Sequence, residues 1–243
     1  MPFLSVIIPT KNEEQHLPAL LQCLQGQTFK DYEIIIADAG SQDRTCQIAT
    51  DYGAKVVSGG RPGPGRNRGA EAAQGELFVF FDADVSLPSQ RFLEGSIEEI
   101  KKKKLEVASC RVRPLSSRPL DRALHEAYNT YMLAMEHLRP HGTGACIFSR
   151  ADVHKALGGF DEQVFLAEDQ EYIQRAVHQG RHYRVLRSHP IIISVRRLDK
   201  DGRLSLALKY LYTEMKLLTR SSLKDMPFEY DMGGDKKKEE IEP

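Results

Sequence analysis

Two aspartates one residue apart, Asp82 and Asp84, follow the apolar run 77–81 (LFVFF). Carboxylates at that spacing, at the end of a buried strand, can approach one hard cation. Mg2+ and Mn2+ take oxygen ligands and keep room for water and substrate phosphates. An ion held there would neutralise a diphosphate leaving group. The same pair could instead cap the turn before Leu87-Pro88.

Other polar groups recur after apolar runs. Thr10-Lys11-Asn12-Glu13 follows the first and Asp38-Ala39-Gly40-Ser41 the second. Asp38 could accept from a nucleobase N–H or a ribose hydroxyl, or close an Asx-turn. Glu13 stands at a helix start, where capping competes with ligand binding. The segment 61–69 (RPGPGRNRG) is basic and glycine-rich, so its backbone could approach a phosphate and Arg66 or Arg68 could pair with it. It lacks the Gly-Lys-Ser/Thr ending of a P-loop. Glu168-Asp169 opens a helix, and Asp169 is either a cap or a general base. His141 and His189 are candidates for a further metal ligand. Arg196-Arg197 suits a phosphate.

Elements must bring these groups to one place. The pattern predicts strands at 3–8, 33–37, 54–58, 77–81 and 105–112. It predicts helices at 13–25, from an Asp43 cap to about Tyr52, and at 66–74 and 89–104. Such alternation predicts a doubly wound α/β layer with a mostly parallel sheet, whose ligands lie beyond the carboxyl ends of the strands. Further on, helices are expected at 119–138, 151–157 and 169–179. A glycine-rich loop and strand are expected at 141–149, and strand pieces at 182–187 and 191–195. An amphipathic helix is expected at 204–220 and a disordered tail at 231–243.

Composition excludes other classes. The chain has 243 residues, 41% hydrophobic and 28% charged, with 34 basic residues against 34 acidic. This is neither a disordered nor a collagen-like chain, and no broad grip on nucleic acid is expected. No apolar run approaches the roughly 20 residues that cross a bilayer. With no secretory signature, the four cysteines are expected as separate, reduced thiols in a cytoplasmic protein. In the last helix Leu204, Leu208, Leu211, Met215 and Leu218 share one face, and Lys209, Lys216 and Arg220 another. That pattern suits peripheral contact with the inner face of a membrane, packing on the domain, or a homodimer contact.

Taken in order, these motifs resemble the GT-A fold glycosyltransferases of family 2. The resemblance runs from about residue 4 to 187, through SVIIPTKNEE, IIIADAGSQDRT, GRNRGAEAAQGELFVFFDADV and GGFDEQVFLAEDQEYIQRAVHQG. It implies a single GT-A domain over 1–230, with a nucleotide-binding half at about 1–115 and an acceptor half at about 116–203. Pro9, Glu13 and Asp38 would hold the nucleoside, with Arg66 and Asn67 near the nucleotide. Asp82 would contact ribose or metal, Asp84 would bind the divalent ion (Mn2+ or Mg2+), and His189 is included as a metal ligand. Arg196 and Arg197 would close over the diphosphate, and Asp169 would be the base. The activity implied is metal-dependent, inverting transfer from a nucleoside-diphosphate sugar, UDP before GDP, to a hydroxyl on a lipid-linked or small-molecule acceptor.

Two departures matter. Ala39 stands where the family often has an acidic residue. The Gln-x-x-Arg-Trp motif of processive synthases is missing and the chain has no Trp, so a small, soluble, non-processive member is expected. Competing readings are a non-catalytic nucleotide-sugar-binding or scaffold protein on the same fold and a sugar nucleotidyltransferase. The latter would carry a Gly-rich loop with Lys where PTKNEE stands.

Overall fold

The protein is described from a computed structural model covering residues 1–203, with 205 and 212. Apart from those two positions, the expected helix 204–220 and tail 231–243 lie outside the described residues.

The strands are β1 (Leu4–Thr10), β2 (Tyr32–Asp38), β3 (Lys55–Ser58), β4 (Leu77–Phe81), β5 (Val85–Ser86), β6 (Val107–Pro114), β7 (Cys146–Arg150) and β8 (Tyr183–Ile193). The helices are α1 (Leu17–Gln25), α2 (Thr45–Asp51), α3 (Pro62–Glu71), α4 (Phe92–Lys103), α5 (Pro119–Met135), α6 (Ala151–Leu157), α7 (Glu168–His178) and α8 (Arg196–Asp201). One sheet runs in the order β3-β2-β1-β4-β7-β6-β8-β5.

β1, β2, β3 and β4 are mutually parallel, as expected. β7 then inserts antiparallel between β4 and β6, and β8 returns parallel to β6. The sheet is therefore mixed. Alternation buries both faces. Leu77, Val79 and Phe81 join one core cluster with Leu17, Leu20 and Phe92, while Phe78 and Phe80 join the other with Val153, Phe160 and Tyr172. Helices α1 and α4 thus cover one face, and α6 and α7 the other. Helix α3 lies so close to β1 that a Cβ on Gly69 would stand 2.3 Å from Ile7 Cγ2.

The structure departs from expectation in several places, β5 and α8 being unexpected elements. Helix α3 begins at Pro62 rather than 66, because proline suits the first helical turn, so RPGPG opens the helix instead of forming a loop before it. The two late strand pieces are one strand, β8, with an irregularity opposite Cys110 and Val112. Cys110 and Cys146 are not separate: they occupy neighbouring strands with sulfurs 3.1 Å apart. The N-cap of α2 is Arg44 rather than Asp43, which stands one position earlier with its Oδ1 accepting from the Thr45 N–H at 2.9 Å. No helix among the described residues is long and apolar enough to cross a membrane.

Candidate active site

Strands β1, β2 and β4 end beside one another and deliver Glu13, Asp38, Asp82 and Asp84 to one rim. Pro9 is the last residue but one of β1, its Cβ 3.2 Å from where Gly65 would carry one.

Asp38 forms the Asx-turn. Its carboxylate accepts from Thr10 Oγ1 at 2.9 Å, from Ser41 Oγ at 2.5 Å, and from the Gly40 and Ser41 N–H groups at 3.0 and 2.8 Å. Gly40 allows the turn with φ of +79°. Burial works to raise the Asp38 pKa, but the bonds from Ser41 and Thr10 outweigh it and hold the pKa below the ordinary value. Any nucleobase on Asp38 would share it with these four donors.

Glu13 and Asp84 are joined by one guanidinium. Arg196 Nη2 lies 2.8 Å from Glu13 Oε1, Nη1 lies 3.1 Å from Oε2, and Nε lies 3.0 Å from Asp84 Oδ2. Burial raises the Asp84 pKa first, then the charges of Asp82 and Glu13, against Arg196 and Arg197. A positive group thus already stands where the carboxylates converge.

Arg66 makes the second junction. Its guanidinium is 2% exposed, the most deeply buried charge of the site. Nη1 donates to Glu168 Oε1 at 2.7 Å, and Nη2 donates to Asp82 Oδ1 at 2.9 Å and to the Gly144 carbonyl at 3.2 Å. Burial opposes its charge, but Asp82 and Glu168 more than compensate, so its pKa is raised. Asp169 stands beside this pair at the start of α7, after Ala167 in the left-handed region at φ 60°. Burial, then the charge of Glu168, raises the Asp169 pKa to about 7, with Arg66 opposing. A carboxylate with that pKa is matched to proton abstraction near neutral pH.

Several expected site residues are used elsewhere. Asn67 donates to the Phe160 carbonyl at 2.9 Å and accepts from the Phe160 N–H at 2.8 Å, so its amide ties α3 to the 158–160 turn rather than facing a nucleotide. Arg68 donates to the Gly59 carbonyl at 2.7 Å. His189 is not beside Asp84. The Ile193 end of β8 pairs with Val85, whereas His189 leans on α4, its ring 6.2 Å from Phe92 and its Cε1 2.7 Å from where Gly95 would carry a Cβ. His141 packs its ring 4.8 Å from Tyr131, with Nδ1 3.0 Å from the Arg139 carbonyl. Among the described residues no group of three His, Cys, Asp or Glu side chains is arranged to hold an ion.

Two contributors take their place only through contacts made in the folded chain. Gly144 abuts both Arg66 and Asp169: a Cβ there would lie 3.1 Å from Arg66 Nη2 and 3.2 Å from Asp169 Oδ2. The Gly-rich loop was visible, but not what it touches. Glu168 is legible in the sequence as half of a Glu-Asp pair, and its partner Arg66 comes from α3.

A mixed sheet with an acidic turn after β4 and a half-buried pair of acids opening α7 defines the GT-A class. The family model "Glycosyl transferase family 2" matches residues 5–158, and the chain belongs to that enzyme family. It is 27% identical over 206 residues to glycosyltransferase AglE of Haloferax volcanii, covering 79% of this chain and 66% of the relative. The mannosyltransferase PcManGT of Pyrobaculum calidifontis, solved with GDP-Man and Mn2+, superposes with a TM-score of 0.68 at 22% identity, over 80% of this chain and 57% of that one. TarS 1–349 of S. aureus, solved with UDP-GlcNAc, gives 0.65 at 23%, over 80% and 58%. The chain thus spans about two thirds or less of the length of these relatives.

Proposed function

We propose that the chain transfers a sugar, with inversion, from a nucleoside-diphosphate sugar to an acceptor hydroxyl. The observation that carries this is Arg66, which holds Asp82 of the acidic turn and Glu168 together beside Asp169. Donor-side acids and a candidate base are thereby adjacent.

Pro9, Glu13 and Asp38 frame the nucleoside, and Arg196 and Arg197 turn toward the diphosphate. Residues 1–115 form the donor half and 116–203 the acceptor half of one domain. Asp82 and Asp84 would hold a divalent ion, Mn2+ or Mg2+. The fit rests on a donor set made only of oxygen and on the guanidinium that already stands as a cation on Asp84. When bound, such an ion supplies positive charge to the departing diphosphate. Asp169 takes the proton of the acceptor hydroxyl. The hydroxyl oxygen bonds to the anomeric carbon from the face opposite the diphosphate, and the bond to the diphosphate oxygen breaks. Arg66 holds Asp82 and Glu168 while this happens and limits the rise of the Asp169 pKa.

UDP is the first candidate nucleotide and GDP the second; the UDP-GlcNAc and GDP-Man complexes of the structural neighbours support trying both. A lipid-linked acceptor would bring the cytoplasmic protein to the inner membrane face; a small-molecule acceptor would not. Calorimetric titration of UDP and GDP, with and without Mn2+, on wild type and Asp84→Ala tests the donor site. One nucleotide should bind with a metal dependence that Asp84→Ala removes. If neither binds under any metal condition, the donor assignment fails and a scaffold role replaces it.

A further inference from the structure

We propose that Arg196 is a tethered cation that keeps a divalent ion off Asp84 until the diphosphate of a nucleotide draws its guanidinium away, so that metal and nucleotide bind as a linked pair. The inference rests on the transferase reading and adds an order of events to it. One guanidinium faces two acids. Nη1 and Nη2 meet the two oxygens of Glu13, and Nε meets Asp84 Oδ2. His16 Nδ1 lines the same cluster, 3.1 Å from Glu13 Oε2 and 3.4 Å from Arg196 Nη1.

Charge makes the exclusion. The side chains of Glu13, Asp84 and Arg196 are 6%, 19% and 26% exposed, so salt and water screen this cluster less than a surface pair. Burial opposes the Arg196 charge, but the bond to Glu13 and the charge of Asp84 outweigh it and raise its pKa. The side chain is therefore a permanent cation. A divalent ion arriving alone at Asp84 Oδ2 meets a like charge at contact distance, and must also take Oδ2 from Nε.

The backbone around Arg196 is pinned on both sides, so the side chain has to move rather than a loop. Upstream, Ile193 of β8 pairs with Val85, the residue after Asp84. Downstream, Arg203 holds Asp121 at 2.7 and 3.1 Å and Asp199 at 2.8 Å. Rotation about the side-chain bonds carries the guanidinium from one oxygen to another without breaking either anchor. A diphosphate offers its oxygens to the planar fork of the arginine. As Arg196 turns to them, Asp84 Oδ2 is released, and the diphosphate supplies further hard oxygen ligands for an ion beside it. Each ligand removes the obstacle to the other, and such coupling is reciprocal.

The test is Mn2+ binding to the full chain without nucleotide, read by electron paramagnetic resonance. It needs no donor and no turnover, so its failure is separate from failure of the nucleotide titration. Arg196→Gln should bind Mn2+ alone about fivefold or more tighter than wild type, and Arg196→Gln/Asp84→Asn should lose that gain. The metal response of nucleotide binding should persist in Arg196→Gln but shrink by the same factor. A second measurement uses wild type and covers poor folding of the variant. The Arg196 Nε–H resonance, assigned by its loss in Arg196→Lys, should hold its place with Mg2+ alone and move when Mg2+ and nucleotide are added together. Three outcomes overturn the proposal: equal Mn2+ affinity in wild type and Arg196→Gln; a gain that survives Asp84→Asn, which would put the ion elsewhere; or movement of the Arg196 resonance by Mg2+ alone.

Discussion

Arg66 donates to Glu168 at 2.7 Å across 102 positions of sequence. That single ion pair joins the helix before the acidic turn to the helix that carries Asp169. With the bond to Asp82 it ties both helices to the acidic turn from a buried position.

Arg66→Met should therefore reduce turnover by about a hundredfold or more while UDP affinity changes by less than about threefold. It strands Glu168 and Asp82, and losing one partner of a buried pair costs roughly 3–5 kcal/mol; the exposure of Asp82 (40%) places the expected loss at the low end. Chemical denaturation reads the stability, and calorimetry the affinity. The variant should also move the acidic limb of the pH profile upward, because Arg66 holds the Asp169 pKa down. Tighter or unchanged turnover, or loss of UDP binding alone, would return Arg66 to the nucleotide.

The pH dependence follows from Asp169. Its pKa of about 7 leaves it protonated in acid, so kcat/KM should rise with pH through about 7 and then level off. Stability should run the other way. The folded pKa lies above the unfolded value of about 4, so stability is lost as pH rises from about 4 to about 7. Asp169→Asn should abolish turnover and yet melt higher than wild type at pH of about 8, by an amount on the order of 2–3 kcal/mol. The gain should vanish near pH of about 4. A flat pH–rate profile in wild type would remove Asp169 from the base role.

Asp84→Ala separates the two cations that can occupy its side chain. The substitution releases Arg196 Nε but leaves the Arg196–Glu13 pair. Nucleotide binding should lose its Mn2+ dependence and retain a weaker, metal-independent part carried by Arg196 and Arg197. Arg196→Gln should do the reverse, keeping the metal response while weakening nucleotide binding about tenfold. Both are read in the same titration. Identical losses in the two variants would refute the division of roles.

Gly144→Ala probes the close approach beside the base. Its Cβ would sit 3.1 Å from Arg66 Nη2 and 3.2 Å from Asp169 Oδ2, so both side chains must give by a few tenths of an ångström. Turnover should fall about tenfold or more with stability nearly unchanged. Gly69→Ala is the contrasting case. Its Cβ would meet Ile7 at 2.3 Å in the core, which should cost about 1–3 kcal/mol and leave turnover per folded molecule intact. Steady-state kinetics beside thermal melts tell the two apart.

Much of this molecule was legible locally. The apolar run 77–81 reads as a buried strand and forms β4, with Asp82 at its end, because hydrophobic periodicity and strand termination act over a few residues. The helix 151–157 was bounded by Gly158 and Gly159, which both take positive φ. The order of motifs was enough to identify the family. What only the tertiary structure decided is who meets whom. The antiparallel insertion of β7 next to β4 follows from pairing across 65 positions and more, and alternation cannot encode it. Asn67 and His189 have the right chemistry for a ligand, but their neighbours Phe160 and Phe92 were set by helix packing. Arg66 shows the reason most plainly: its type announced a charge, whereas its burial and its two carboxylate partners came from elements that are adjacent only after the chain folds.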